Sequence, residues 1–176
     1  LGVVVQHGRS LEALKRMRFL LLHPNFPGQF KHLAGALASS GHEVKFLCQT
    51  HFNRSLPGVE RLCLKGGGSH QALNQLQLDQ QQRTQKLAEQ YRGGMEQIRS
   101  TSWTPDVVIS HSGWGCGLMV KSIWPSCRQI AYLEWWFDPQ SDLLSYDISN
   151  SELGLNPSLG GKLWLRNQAL ALELAA

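Results

Sequence analysis

Two histidines stand directly after short apolar runs: His23 follows Phe19-Leu-Leu-Leu22, and His111 follows Val107-Val-Ile-Ser110. An imidazole donates and accepts hydrogen bonds near neutral pH, so each can hold a sugar hydroxyl or a phosphate oxygen, or tie its own loop together. Each opens a loop with glycine close to a following helical pattern, His23 to Gln29 and His111 to Gly117. Gly28 suits a close approach of backbone N–H groups to a phosphate at a helix start, and it equally suits a turn after Pro27. Gly113, Gly115 and Gly117 do not have the spacing of a dinucleotide-binding loop and read as a tight turn. Glu134 ends a later apolar run, where a carboxylate can bind hydroxyls, act as a base, or cap nearby N–H groups. Behind it, Trp135, Trp136 and Phe137 offer either a stacking platform for a sugar ring or apolar packing.

These residues need a scaffold, and the alternation of patterns predicts one. Strands are expected at Phe19–Leu22, Val44–Cys48, Val59–Leu64, Val107–Ser110 and Arg128–Leu133. The continuous apolar run Phe19–Leu22 fits a strand buried on both faces of a parallel sheet. Phe30, Leu33, Ala34 and Leu37 recur at helical spacing up to Ser40, with Gly41 placed to stop the helix. Leu73, Leu76, Leu87, Tyr91, Met95 and Ile98 form one stripe of a longer helix from Ala72 to about Arg99, despite Gly93 and Gly94. A short helix is expected at Leu118–Ile123, and an amphipathic one at Lys162–Ala176. Strands alternating with helices imply a doubly wound α/β parallel sheet. In such a sheet, ligands bind beyond the carboxyl ends of the strands where strand order reverses. For the order 3-2-1-4-5 that crevice lies between the loops opened by His23 and His111.

Bulk properties narrow the classes. The 176 residues are 42% hydrophobic and 17% charged, with a formal net charge of +4. That composition describes a folded globular chain rather than a disordered one. The Lys and Arg residues are not clustered into a nucleic-acid tract, so no nucleic-acid partner is expected. The sequence has no span long and apolar enough for a bilayer and no signal-peptide pattern, which implies a cytoplasmic protein. The cysteines at 48, 63, 116 and 127 form no CxxC pair and are expected to be buried thiols. Metal-binding His or Cys spacing, a GxSxG elbow and a phosphate-binding lysine loop are all missing, so no metal or cofactor is expected.

Three ordered motifs carry a resemblance. Leu22-His-Pro-Asn-Phe-Pro-Gly-Gln-Phe30 leads to Gly41-His-Glu-Val44; Pro105-Asp-Val-Val-Ile-Ser-His-Ser-Gly-Trp-Gly115 follows; Trp124-Pro125 precedes Tyr132-Leu-Glu-Trp135. From Met17 onward the chain resembles the N-terminal, Rossmann-like domain of bacterial family-4 glycosyltransferases, in the subgroup with HPNFPxQF, PDVVxxHxGWG and YxE segments. The resemblance implies one half of a GT-B architecture, in which two such domains face each other across a cleft. It implies a retaining, metal-independent transfer from a nucleotide-sugar donor to a glycan or glycolipid acceptor, in polysaccharide or glycolipid synthesis. Such a protein can sit peripherally at the inner membrane face. By position, Gly28 would lie near the donor diphosphate and His111, the catalytic candidate, would face the transferred sugar. His23 and Glu134 would border the acceptor or sugar. Residues 1–16 are then an extension of uncertain status and 17–176 the acceptor-side domain, apparently truncated at its C-terminus. The C-terminal donor domain with its paired-glutamate motif is missing, so the chain alone is expected to transfer little. The alternative is a non-catalytic Rossmann-like module that binds a sugar, a nucleotide or a partner. A nicotinamide-dependent oxidoreductase is disfavoured because the first loop lacks GxGxxG.

Overall fold

The apolar runs at 19–22 and 107–110 become central strands whose two faces are both covered, while the outer strands keep exposed residues. In the computed structural model, which describes residues 15–50, 53–64 and 80–133, these strands are β1 (Arg18–Leu22), β2 (Glu43–Cys48), β3 (Val59–Cys63), β4 (Val107–His111) and β5 (Arg128–Tyr132). All neighbours are parallel, in the order β3-β2-β1-β4-β5. The helices are α1 (Lys31–Ser39), entered through a 3-10 turn at Gly28–Phe30, then α2 (Gln80–Ser100) and the short α3 (Val120–Ile123). The expected doubly wound, Rossmann-like topology is therefore observed.

Alternate residues of each strand feed two cores. Leu20, Leu22 and Val108 pack with Leu87, Tyr91, Met95 and Ile98 of α2. Phe19, Leu21, Phe46 and Ile109 pack on the other face with Phe26, Phe30 and Ala34. Burying a Leu or Phe side chain contributes about 1.5–3 kcal/mol, so the two layers dominate the stability of the sheet. The helical stripe read from Leu87 to Ile98 is buried as expected, and Gly94 explains how α2 comes so close. A Cβ there would stand 2.5 Å from Leu64 Cδ2 and 3.0 Å from Leu47 Cδ2.

Gly41 does stop α1. Its φ is +83°, its N–H donates to the Ala38 carbonyl, and the N–H of His42 donates to Leu37. This is the Schellman arrangement, which satisfies carbonyls that the helix end leaves open.

Three expectations shift. Leu33, placed on the apolar stripe of α1, is 39% exposed. Cys48, Cys116 and Cys127 are buried thiols, but Cys63 is exposed because β3 is an edge strand. The helix after β4 begins at Val120 rather than Leu118, since turns from Leu118 N to Gly115 O and from Val120 N to Gly117 O come first. Residues 72–79, Glu134, the aromatic run 135–137 and the segment 162–176 lie outside the described residues.

Candidate functional site

His23 and His111 are brought together by strand register. β1 and β4 are adjacent, with Leu22 opposite Ser110, so the next residue of each strand stands at the same carboxyl edge. The two rings are 4.6 Å apart at 71°, and each residue is only 3% exposed. The chain steps outward from β1 through β2 to β3, then returns to the other side of β1 with β4. The pair thus sits where strand order reverses, as the sequence pattern anticipates.

The loop after β1 is held on both sides. His23 Nδ1 accepts from the Asn25 N–H at 2.8 Å, which leaves the proton on Nε2, and Nε2 meets Gln29 Oε1 at 2.6 Å. Both ring nitrogens are engaged within this loop. The Pro24 carbonyl accepts from the N–H groups of Gln49 and Thr50 at 2.9 and 3.1 Å, and Thr50 Oγ1 is 2.8 Å from Asn25 Oδ1. The loop is therefore strapped to the chain leaving β2. Gly28 has φ +49° and its Cα faces the His23 ring. The turn it makes is needed to fit over that imidazole. Neither the 3-10 turn it starts nor α1 has a side-chain cap or an acidic residue in its first turn. No capping or acidic side chain of that first turn offsets the partial positive charge of this end.

His111 lies in an aromatic frame. Phe30 is 6.3 Å away by ring centroids and Tyr132 is 5.6 Å away, while Phe30 and Tyr132 meet edge to face at 5.4 Å. Tyr132 is opposite His111 in the β4–β5 register and is 40% exposed. It is the ring of this group that an arriving molecule meets first. The loop after β4 is a tight turn, with positive φ at Gly113 and Gly115. Gly115 abuts α2, where a Cβ would come within 2.5 Å of the Thr84 carbonyl oxygen.

Of the four residues singled out from sequence, His23, Gly28 and His111 converge, while Glu134 lies outside the described residues. Gln29 and Tyr132 were not anticipated. The signal for Tyr132 was its place at the end of β5 beside β4; Gln29 is visible only once His23 has turned back over its own loop. A cavity of about 490 Å³ lies elsewhere, between β2–β3 and α2, and is lined by Lys45, Leu62, Gln90 and Gln97 among others. The chemistry-bearing residues, rather than that cavity, define the candidate site. Among the described residues no group of three His, Cys, Asp or Glu side chains is placed to hold a metal, and no helix is long and apolar enough to cross a membrane.

Comparison with known proteins adds the family. The model described as "Glycosyl transferase family 4 group" matches residues 40–176, most of the chain. The match begins just after α1, so it includes His111 and Glu134 but not His23 or Gly28. No curated protein matches the chain. Among solved structures, the chain is similar to the glycosyltransferase SnogD from Streptomyces nogalater, at 17% identity and a TM-score of 0.49. That alignment covers 88% of this chain and 38% of the SnogD chain, so this chain spans well under half the length of that protein. The parallel sheet and the matched residues together lead to one assignment: the chain belongs to the glycosyl transferase family 4 group.

Proposed function

We propose that residues 17–176 form the acceptor-side domain of a retaining, GT-B-type glycosyltransferase. It would receive a glycan or glycolipid while a sugar is moved from a nucleotide-sugar, in polysaccharide or glycolipid synthesis. A second Rossmann-type domain would hold most of the donor. The observation that carries this reading is the His23–His111 pair at the strand-order reversal of a family-4 chain.

In this reading His111 faces the transferred sugar and offers its imidazole to a hydroxyl, with Tyr132 at the entrance. His23 borders the same site, and its bracket of Asn25 and Gln29 holds the wall rigid. Gly28 begins the turn whose N–H groups and helix dipole favour the donor diphosphate. Glu134, two residues after Tyr132, borders the acceptor. The net charge of +4 suits the anionic donor and a peripheral approach to an anionic membrane surface on the cytoplasmic side.

The test is a chemical-shift titration of the chain with oligosaccharide acceptors and nucleotide-sugars, with and without a chelator. Shifts concentrated at Gly28, His111 and Tyr132, unchanged by the chelator, are the expected result. Shifts confined to the cavity beside α2, or a response to nicotinamide dinucleotides titrated in parallel but to neither acceptors nor nucleotide-sugars, would overturn the reading.

A further inference from the structure

Cys48 and Cys63 end β2 and β3, and the parallel register sets them directly opposite each other. Side chains alternate along a strand. Cys48 shares its face with Val44 and Phe46, in the core beneath α1, and Cys63 shares the same face two positions after Arg61. The two sulfurs therefore project to one side. The Cys48 thiol donates to the Leu62 carbonyl at 3.6 Å, one residue before Cys63, and burial first, then the neighbouring Cys63, pushes that thiol up. Adjacent strands run about 4.8 Å apart, inside the range of Cα separations that a disulfide spans. One thiol is buried and the other is exposed, so a reagent reaches Cys63 first and finds Cys48 behind it. We propose that Cys48 and Cys63 form a dithiol site that small-molecule disulfides oxidise reversibly to a cross-strand disulfide.

The exchange balances as follows. The Cys63 thiolate attacks one sulfur of glutathione disulfide, breaks its S–S bond and releases one glutathione thiolate, which takes up the proton that Cys63 gave away. Cys48 Sγ then attacks Cys63 Sγ and breaks the mixed Cys63–glutathione S–S bond, and the departing glutathione thiolate takes up the proton that Cys48 gives away. Two protein thiols are oxidised and one glutathione disulfide is reduced to two glutathiones. The order follows from burial, which pushes the Cys48 thiol up to about 12 and keeps it protonated until its partner is activated. Closing the bond requires the two Cβ atoms to draw in to about 3.8 Å, which strains the sheet ends and makes the product easy to reduce. Cys116 and Cys127 belong to the core on the α2 side of the sheet and cannot compete. The bond would tether the strand end that carries Thr50, and with it the strap on the loop after β1. This site is independent of the sugar-transfer reading.

The native chain is incubated with glutathione disulfide, alkylated, and digested with trypsin without reduction. Cleavage after Lys45, Arg54, Arg61 and Lys65 separates peptide 46–54 from peptide 62–65, each with one of the two cysteines. The expected product is one disulfide-linked species of these two peptides, an intact mass before alkylation lower by two hydrogens, and full recovery of both thiols with dithiothreitol. Cys63→Ser, at an exposed position, should fold as the parent does and lose the linked species completely. Glutathione retained on Cys63 with no linked peptide, linkage formed only in urea, or linkage through Cys116 or Cys127 would each overturn the proposal.

Discussion

The imidazole of His23 lies against the Cα of Gly28 so closely that a methyl group there would stand 2.7 Å from its Cε1. The ring cannot swing aside, because Asn25 and Gln29 hold its two nitrogens. Gly28→Ala therefore meets two costs: the left-handed φ, about 1–2 kcal/mol for a residue with a Cβ, and the contact with the ring. Gly41→Ala has a similar φ of +83° but open space around the added carbon, so it meets only the first. Urea unfolding should show Gly28→Ala losing at least about 1 kcal/mol more than Gly41→Ala. Equal losses would mean that the ring yields.

The adjacent glycines of α2 should respond with opposite signs. At Gly93 nothing lies within 4 Å of an added Cβ, whereas at Gly94 the Leu64 and Leu47 side chains are in the way. Gly93→Ala should stabilise by about 0.8–1 kcal/mol through helix propensity. Gly94→Ala gains the same propensity but must push α2 off β2, and should be net destabilising by about 1 kcal/mol or more. Thermal unfolding of the two variants decides the point; a Gly94→Ala protein more stable than its parent would show that Leu64 moves freely.

Alkaline pH should weaken the fold through its buried acids. Burial, then the nearby Cys63, pushes the Cys48 thiol from 9.0 to about 12, with Arg61 opposing. Burial, then Cys116, holds Tyr91 well above 10.0, and burial raises Cys127. In the unfolded chain these groups ionise at their ordinary values while the folded chain keeps its protons. Stability from them is thus fully present below about pH 9 and lost as pH rises toward 12. Denaturant midpoints across that window should fall, and Cys48→Ala should fall less steeply. A flat profile would contradict the burial of these groups.

For His111, packing and chemistry can be separated. His111→Phe keeps a ring against Phe30 and Tyr132 but has no hydrogen-bonding nitrogen; His111→Ala removes both. If the imidazole serves the transferred sugar, both variants, assayed with a donor-binding domain joined to the chain, should lose about 10²-fold or more in kcat, with only the alanine form losing much stability. Turnover retained by His111→Phe would take this residue out of the site.

Much of the scaffold was legible in the residues themselves. β1 and β4 are buried on both faces, which leaves an uninterrupted apolar signature, and the stripe from Leu87 to Ile98 has helical spacing. The convergence of His23 and His111 followed from placing both at strand ends and knowing where order reverses. Other features depend on three-dimensional neighbours that local pattern does not encode. Cys63 sits in an apolar run like its buried counterparts, yet an edge strand leaves it open. Leu33 fits the stripe of α1 and still faces outward. The Gln29 contact arises from a loop folding back on itself, and the Tyr132–His111 contact from the pairing of β5 with β4.

The two halves of the histidine pair have different histories in the folding chain. The bracket around His23 is made by residues within its own loop, with straps to the nearby end of β2, so it closes over a short distance. His111 joins it only after β4 has found β1 across the whole stretch that contains β2, β3 and α2. That closure carries the larger loop entropy and comes late wherever non-local strand pairing limits the rate. The ring contact between His23 and His111 is consequently a reporter of completed folding: a partly folded chain can display the bracket, but the pair exists only when the central sheet is whole.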